Sequence, residues 1–256
     1  MKVSCLTATY GRFENLRECV SCFLAQDYPD KELIILNNHP EPILCDLPQV
    51  TMVNKPGHPT LGDCRNALVK MATGDVIRTW DDDDLYMPWT LRQGVENIGD
   101  AVAFKPKASW FSCKGKPFEL AENAFEAAMI VRRDIALKYG YKSAGGDEHS
   151  TLLDGIGKEG GCKTIDFGVL ASYVYKWGYG MWHISGSLGS GSVESRTTTW
   201  MEHNTDTKTT PLSPASVQHY WDGLLADVLA KFGVADYERL RTAFNESNTL
   251  HLHHGA

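Results

Sequence analysis

The stretch VIRTWDDDDLYMP, residues 76–88, places four consecutive aspartates directly behind a run of strand-forming residues. Because like charges repel, a folded protein tolerates such a cluster either as a loop that water solvates or where the carboxylates converge on a cation. Trp80 immediately precedes the aspartates, at the end of a strand that is apolar enough to be buried. A charge run in this position favours a metal or nucleotide site over an exposed acidic turn.

The backbone geometry of the run decides how the aspartates can act. If the strand continued through them, Asp81 and Asp83 would point to one side of the sheet and Asp82 and Asp84 to the other. The two pairs could then not bind the same ion. A divalent cation with hard oxygen ligands usually takes one or two protein carboxylates and leaves room for substrate phosphates. The pattern therefore predicts that the four aspartates have different tasks.

The sequence before the aspartates alternates between buried strands and amphipathic helices. The order is strand, helix, strand, strand, helix, strand, at residues 2–9, 14–28, 31–38, 51–56, 60–74 and 75–80. Strands too apolar to face water on either side are typical of a mainly parallel sheet between layers of helices. The sequence therefore predicts an α/β fold, in which ligands bind outside the carboxyl ends of the strands. Three polar stretches lie at such ends: TATYGR (7–12), NNHP (37–40) and DDDD (81–84).

The rest of the chain predicts a second half of the same domain and a helical extension. The apolar periodicity lapses in the Thr-, Asn- and Pro-rich stretch 196–214. Amphipathic helices are predicted at 217–233 and 236–247, where they could pack on the core or form a contact in a homo-oligomer. The predicted organisation is a domain at 1–205, divided into halves at 1–95 and 96–205, followed by a C-terminal helical extension at 206–256.

Composition and charge limit the classes of protein to which the chain can belong. Of its 256 residues, 43% are hydrophobic, and the formal net charge of −7 excludes a broad electrostatic footprint for nucleic acid or anionic lipid. No window approaches the roughly 18 uninterrupted apolar residues of a membrane helix, which predicts no stable membrane insertion. The seven cysteines are odd in number and lack a zinc-site pattern, which favours a reducing compartment. We therefore expect a cytoplasmic protein.

Two long segments carry a family resemblance: VSCLTATYGRFENLRECVSCFLAQDYPDKELIILNN (3–38) and GDCRNALVKMATGDVIRTWDDDDLYMPWTL (62–91). Five features follow one another in order: a strand with TYxR, a helix ending in LAQDYP, ELIIL with a polar pair, RNxxxxxAxGD, and aspartates before a proline. Over residues 3–92 this pattern closely resembles the N-terminal half of family 2 glycosyltransferases. The resemblance implies the GT-A fold of the nucleotide-diphospho-sugar transferases.

The resemblance also implies transfer of a sugar from a nucleoside diphosphate sugar, with Mn²⁺ or Mg²⁺ bridging the diphosphate to the second acid of a DxD-type motif. Residues 1–95 would be the nucleotide-sugar-binding half and residues 96–205 the acceptor and catalytic half. By position, Asp83 would be the metal ligand and Asp82 would contact the ribose or diphosphate, with Asp81 as the alternative in a shifted frame. Three residues would line the nucleotide pocket: Thr9, Tyr10 and Arg12.

One departure from the family concerns the nucleotide base. Family members usually have two aspartates where this chain has Asn37 and Asn38, and one of those acids commonly contacts the base. An amide has both donors and an acceptor, so it prefers a different pattern on the base edge. A UDP-sugar is the expected donor, with GDP- and dTDP-sugars as alternatives. Asp63 and Arg65 are further candidates for diphosphate or base contact, although an acid near a helix start is also a common cap.

An inverting transfer needs a general base, because the acceptor hydroxyl must lose its proton as it attacks the anomeric carbon. The resemblance implies an acid at the start of a helix in the second half of the domain, and GGDEHSTLLDG (145–155) fits that place. We favour Asp147 as the base and keep Glu148 as its close alternative; helix capping is the competing structural role. His183, in a glycine- and aromatic-rich stretch, is the candidate for the late histidine that completes the metal shell in several GT-A enzymes.

Two other functions stay open. A nucleotidyltransferase of related fold would also use paired acids and a metal, but it normally carries a glycine-rich basic loop near its first strand, and TATYGRFEN (7–15) is not one. A catalytically degenerate nucleotide-sugar-binding module would account for Asn37 and Asn38. The acceptor is open as well: a glycan, a lipid-linked sugar, a protein and a modified nucleic-acid base are all compatible with this chain.

Overall fold

A computed structural model of the chain describes residues 1–113, 119–122, 126–144, 147–168, 171–177 and 212. The strands are, in chain order, β1 (Val3–Thr9), β2 (Lys31–Asn37), β3 (Val50–Asn54), β4 (Val76–Thr79), β5 (Leu85–Tyr86), β6 (Ala103–Pro106), β7 (Ala108–Cys113), β8 (Glu119–Glu122), β9 (Ile130–Arg132), β10 (Cys162–Ile165) and β11 (Tyr173–Trp177). The helices are α1 (Phe13–Leu24), α2 (Leu61–Met71), α3 (Thr90–Ile98), α4 (Arg133–Tyr139) and α5 (Ser150–Lys158), with a 3₁₀ turn at Glu126–Ala128.

The larger of two sheets has the strand order β10-β6-β9-β4-β1-β2-β3. β1 pairs in parallel with β2 and β4, and β2 pairs in parallel with β3. Among the described strands of this larger sheet, β9 runs opposite to the others and is antiparallel to its neighbours β4 and β6. The predicted element order before the aspartates and the mainly parallel sheet are therefore confirmed.

Burial on both faces explains why the central strands are continuous apolar runs. Side chains of a strand alternate between the two faces of its sheet. In β2, Leu33 and Ile35 pack in one core cluster with residues of α1, whereas Ile34 and Leu36 pack in a second cluster with residues of α2. Helices thus cover both faces, as parallel sheets require, and the carboxyl ends of β1, β2 and β4 lie along the same edge of the sheet.

The aspartates connect the larger sheet to a smaller one. The smaller sheet has the order β5-β11-β7-β8, and no pattern in the sequence predicted it as a separate sheet. β5 begins immediately after Asp84 and runs antiparallel to β11, with Tyr86 opposite Tyr173. The chain therefore passes from β4 of one sheet, through the aspartates, into β5 of the other.

Leu212 packs against the segment between β2 and β3. Its side chain is buried in the core cluster that contains α1. Its backbone N–H donates to the carbonyl of Leu44 over 2.8 Å, and its carbonyl accepts from the N–H of Asp46 over 2.7 Å. The domain boundary at 205/206 stays a prediction, and the two helices predicted after residue 216 lie outside the described residues.

Two findings concern the predictions of no membrane insertion and of a reducing compartment. Within the described residues, no helix combines the length and the apolar character needed to cross a membrane. Six cysteines are free thiols: Cys5, Cys19, Cys22, Cys45, Cys64 and Cys162. Burial raises the pKa of the most enclosed of these, Cys5, Cys19, Cys22 and Cys64. Thiols in such surroundings are usually inert. The cytoplasmic location stays a prediction.

Candidate active site

The aspartate run leaves the strand and forms a turn. β4 ends at Thr79, and residues 82–84 turn toward β5. The strand geometry therefore stops before the aspartates, and the carboxylates of Asp82 and Asp83 both face Arg12. The alternation of the aspartates on two sides of a strand, which required an extended backbone through the run, therefore does not occur.

Arg12 is the cation between these two carboxylates. It immediately precedes α1, in the loop that follows β1, and its side chain is buried. Its Nη2 pairs with Asp82, and its Nη1 donates to Asp83 Oδ2 over 3.1 Å. Buried charges are screened much less than exposed ones, so these pairs attract strongly. The structure thus brings residues 7–12 and residues 81–84 together at one edge of the sheet, as parallel strand ends predict.

Asp82 has a carboxylate oxygen that the described residues leave unpaired. Burial raises the pKa of Asp82 to about 7, although the Arg12 charge acts to lower it. Its Oδ2 is buried without a hydrogen-bond partner in the described part of the chain. Such an oxygen is costly unless a ligand or ion contacts it. Together with the Asp83 carboxylate it offers the hard oxygen ligands that Mn²⁺ and Mg²⁺ prefer, so the turn fits a divalent cation.

The protein ligands of such a cation would be few. Across the described ranges, no three His, Cys, Asp or Glu side chains are grouped so that they could hold a metal ion. Mg²⁺ commonly takes one or two carboxylates and completes its shell with water and substrate phosphates, which this turn could satisfy. His183, the second predicted metal ligand, lies outside the described residues.

Arg65 links the aspartates to the predicted catalytic segment. It is buried in the second turn of α2. Its Nη2 donates to Asp81 Oδ1 over 2.9 Å, and its Nη1 donates to Glu148 Oε1 over 2.7 Å and also contacts His149 Nε2. Burial alone would lower the pKa of Arg65, but the carboxylates of Asp81 and Glu148 raise it above its ordinary value. One guanidinium therefore joins the aspartate turn to the segment before α5.

The two candidate bases occupy different environments. Both lie just before α5, where the family resemblance places them. The side chain of Asp147 is 64% exposed, and its hydrogen bond to Lys142, 2.8 Å long, lowers its pKa. The side chain of Glu148 is 8% exposed and pairs with Arg65. Of these two acids, Glu148 is the one connected to the aspartate turn.

Asn37 and Asn38, which stand where the family usually has aspartates, form hydrogen bonds with other residues of the chain. Asn37 is fully buried; its Oδ1 accepts from the backbone N–H of Gly11, and its Nδ2 donates to Asn54 Oδ1 over 3.0 Å. Asn38 exchanges two hydrogen bonds with the backbone of His58, 2.8 and 2.9 Å long. A carboxylate could not donate as these amides do, so they fix the loops at this edge. Their contact with a nucleotide base stays a prediction.

The other predicted donor residues lie at the same edge. Thr9 is buried at the end of β1, and the ring of Tyr10 packs edge-on against His39 with centroids 4.9 Å apart. Asp63 belongs to the N-terminal cap of α2: its N–H donates to the Thr60 hydroxyl oxygen, and that hydroxyl donates to the Asp63 carboxylate over 2.6 Å. The capping role is therefore present, and the donor contacts of these three residues stay predictions.

Gly62, in the first turn of α2, lies against the loop that leads to the candidate bases. A Cβ at this position would lie 1.8 Å from the Lys142 carbonyl oxygen. We expect Gly62→Ala to displace the loop and to lower the free energy of unfolding by about 1–3 kcal/mol. Denaturant unfolding measures this effect. In the control Gly157→Ala, a Cβ meets nothing within 4 Å; equal losses in both variants would contradict this expectation.

Because His149 is buried, we expect the free energy of unfolding to depend on pH. Burial, with a further contribution from the Arg65 charge, lowers its pKa from 6.5 to about 2. Because the pKa is lower in the folded state, the stabilisation is complete above pH 6.5 and is lost as the pH falls from 6.5 toward 2. Between pH 7 and 5 we expect the wild type to lose up to about 2 kcal/mol more than His149→Gln, which cannot take up the proton. Urea unfolding at both pH values tests this; identical losses would refute it.

Several contacts of the site had no signal in the sequence. Asp84 is buried and accepts hydrogen bonds from the Tyr173 hydroxyl and from the backbone N–H of Lys176, residues 89 and 92 positions away. The Tyr86 hydroxyl accepts from the Asp81 N–H over 2.6 Å. A single sequence shows which residues are polar, but it does not show which pair across such separations. For the contact between Asp81 and Tyr86, the one local signal was that Tyr86 follows the aspartates closely in the sequence.

Sequence comparison identifies relatives of the chain. The sequence profile of glycosyl transferase family 2 matches residues 4–152. YwdF of Bacillus subtilis (strain 168), an uncharacterized glycosyltransferase, is 31% identical over 106 residues. That alignment covers 40% of this chain and 40% of YwdF, so the chain matches less than half the length of this curated relative.

Solved structures share the fold at low sequence identity. TarS 1–349 of S. aureus in complex with UDP-GlcNAc has a TM-score of 0.57 at 14% identity, over 81% of this chain and 68% of that chain. Mannosyltransferase PcManGT from Pyrobaculum calidifontis, in complex with GDP-Man and Mn²⁺, has a TM-score of 0.55 at 15% identity, over 96% of this chain and 80% of that chain. These likenesses confirm the GT-A fold, and the profile match over more than half of the chain shows that it belongs to glycosyltransferase family 2.

Proposed function

We propose that this chain is a metal-dependent glycosyltransferase that moves a sugar, with inversion, from a nucleoside diphosphate sugar to an acceptor hydroxyl. The observation that carries the proposal is the pair of buried arginines. Arg12 joins the loop after β1 to the aspartate turn, and Arg65 joins that turn to Glu148. The nucleotide-pocket, cation and base candidates are therefore one connected cluster at the ligand-binding edge of the sheet.

Within this cluster the donor diphosphate is assigned to charged groups. Guanidinium groups form strong charge-assisted hydrogen bonds with phosphate oxygens, so Arg12 and Arg65, the arginines of this cluster, are assigned to the diphosphate. Asp83, with the unpaired oxygen of Asp82 beside it, is assigned to the cation. When bound, a divalent cation would neutralise the diphosphate leaving group as its bond to the sugar breaks.

Glu148 is assigned as the general base in preference to Asp147. A base must come within hydrogen-bond reach of the hydroxyl that it deprotonates. Glu148 is buried and shares Arg65 with the aspartate turn, whereas Asp147 is exposed and pairs with Lys142. The Arg65 contact orients the Glu148 carboxylate, so that it can accept the proton of an acceptor bound above the sugar. Asp147 is the alternative base.

The donor is assigned as a nucleoside diphosphate sugar, with UDP as the first base to test. TarS was solved with UDP-GlcNAc and PcManGT with GDP-Man, so related folds accommodate either base. In this chain the side chains of Asn37 and Asn38 are held by internal hydrogen bonds. We therefore assign base recognition first to the ring of Tyr10. The acceptor is a glycan, a lipid-linked sugar, a protein or a modified nucleic-acid base.

Donor binding by the purified chain tests the proposal. UDP-, GDP- and dTDP-sugars are each added with and without Mn²⁺, and the melting temperature and nucleotide release are recorded. At a hundredfold excess over Kd, linkage predicts a stabilisation of about 2.7 kcal/mol, greatest with Mn²⁺ and accompanied by slow donor hydrolysis. Stabilisation without hydrolysis or transfer would indicate a degenerate binding module. No response to any nucleotide sugar, together with pyrophosphate release from a nucleoside triphosphate and a sugar phosphate, would indicate a nucleotidyltransferase.

A further inference from the structure

Both ends of the aspartate turn are fastened to the smaller sheet. At the first end, the backbone N–H of Asp81 donates to the Tyr86 hydroxyl oxygen over 2.6 Å. At the other end, the Tyr173 hydroxyl donates to Asp84 Oδ2. Tyr86 and Tyr173 face each other across β5 and β11, and both are fully buried. Each end of the turn is therefore hydrogen-bonded to one of two tyrosines, and these tyrosines lie opposite each other on one pair of strands.

The ring of Tyr86 is held independently of its hydroxyl. It stacks on Trp80 with centroids 3.7 Å apart and planes 12° from parallel. The guanidinium of Arg78 lies 5.6 Å from the ring centre, and its Nε and Nη2 are buried without hydrogen-bond partners among the described residues. A buried cation lacking hydrogen bonds is costly, and the cation–π contact offsets part of that cost. Removing the Tyr86 hydroxyl should therefore leave the ring in place.

Asp84 has a different task from its neighbours. Its Oδ1 accepts from the backbone N–H of Lys176 over 2.9 Å, and its Oδ2 accepts from Tyr173, so both oxygens are used within the protein. Asp82 and Asp83 lie between this anchor and the anchor at Asp81. Their backbone is therefore fixed on both sides, while both carboxylates contact Arg12.

We propose that Tyr86 and Tyr173 are positioning residues for the cation site, because they hold the turn in the shape that makes the Asp82 and Asp83 carboxylates converge. The inference rests on the proposed function, in which these carboxylates receive a divalent cation. Groups that orient metal ligands commonly contribute about ten- to a hundredfold to metal affinity. Neither tyrosine is assigned a contact with the metal or the donor.

Amide hydrogen exchange tests the first step of this inference without any metal. Tyr86→Phe and Tyr173→Phe each remove one oxygen and keep the ring, and Tyr139→Phe is the matched control, since its hydroxyl donates to Glu159 over 2.7 Å. We expect amides of residues 81–84 to exchange about five- to tenfold faster in the first two variants and at the wild-type rate in the control. Unchanged exchange in both test variants would overturn the inference.

Mn²⁺ binding to the full chain, followed by electron paramagnetic resonance, tests the second step. We expect Kd for Mn²⁺ to rise about ten- to a hundredfold in Tyr86→Phe and Tyr173→Phe, and to stay at the wild-type value in Tyr139→Phe. Wild-type affinity in both test variants would overturn the positioning role and leave the proposed function intact. A wild-type chain that binds no Mn²⁺ would count against the metal-dependent function itself, and with it against the cation part of this inference.

Discussion

Replacement of Asp83 by asparagine is expected to abolish sugar transfer and donor hydrolysis, with a loss of at least about a thousandfold. The amide keeps the size of the side chain but removes the charge that a divalent cation requires. Asp82 would remain as a partner of Arg12, so the fold should persist with a modest loss of stability. Nucleotide release at increasing Mn²⁺ concentrations measures the effect, and a circular dichroism melting curve confirms folding.

Neighbouring acids provide the controls for Asp83. Asp154→Asn changes an exposed acid on α5 and should leave turnover unchanged. Asp81→Asn tests the shifted frame of the motif, because the metal would belong to Asp81 if this variant lost Mn²⁺ dependence while Asp83→Asn kept it. Unchanged turnover in Asp81→Asn, Asp82→Asn and Asp83→Asn alike would exclude the turn as the metal site.

Replacement of Glu148 by glutamine is expected to lower turnover by about a hundred- to ten-thousandfold while donor affinity stays close to that of the wild type. This is the range that positioned general bases contribute. Glutamine retains an oxygen at the position that accepts the 2.7 Å hydrogen bond from Arg65, so the arginine should keep its orientation. Steady-state donor hydrolysis gives the turnover, and calorimetric titration with the donor gives the affinity.

Asp147→Asn is the matched variant for this experiment. Asp147 is exposed and pairs with Lys142, so its neutralisation should change turnover by no more than about twofold. A large loss in Asp147→Asn, with activity retained in Glu148→Gln, would assign the base to Asp147. If Glu148→Gln lost donor affinity instead of turnover, its carboxylate would serve mainly to orient Arg65.

The sequence predicted the first half of the fold well, for a physical reason. β1, β2 and β4 are buried on both faces, so they are unbroken apolar runs that stand out from the amphipathic helices between them. The reversed direction of β9 and the separate smaller sheet could not be predicted. Their strands are short, down to the two residues of β5, and their pairing depends on contacts between distant segments.

In the candidate site, too, some contacts could be predicted from the sequence and others could not. Arg12 and the aspartates were predicted to meet, because parallel strands end at one edge of a sheet. The link from Arg65 to Glu148 spans 83 positions and follows from packing that one sequence does not encode locally. The aspartates do not alternate as they would on a continued strand, because a turn, whose dihedral angles the residue types did not specify, follows Thr79.

Leu212 sets a lower limit on the length of chain that can keep this core intact. It lies beyond the predicted boundary at 205/206, yet its side chain is fully buried in the core and its backbone forms a bridge with Cys45. Loss of a buried leucine typically costs about 2–5 kcal/mol, a large part of the stability of an ordinary domain. A fragment that ends at residue 205 would lack these contacts and should be less stable by about that amount, so a minimal version of this domain should extend past Leu212.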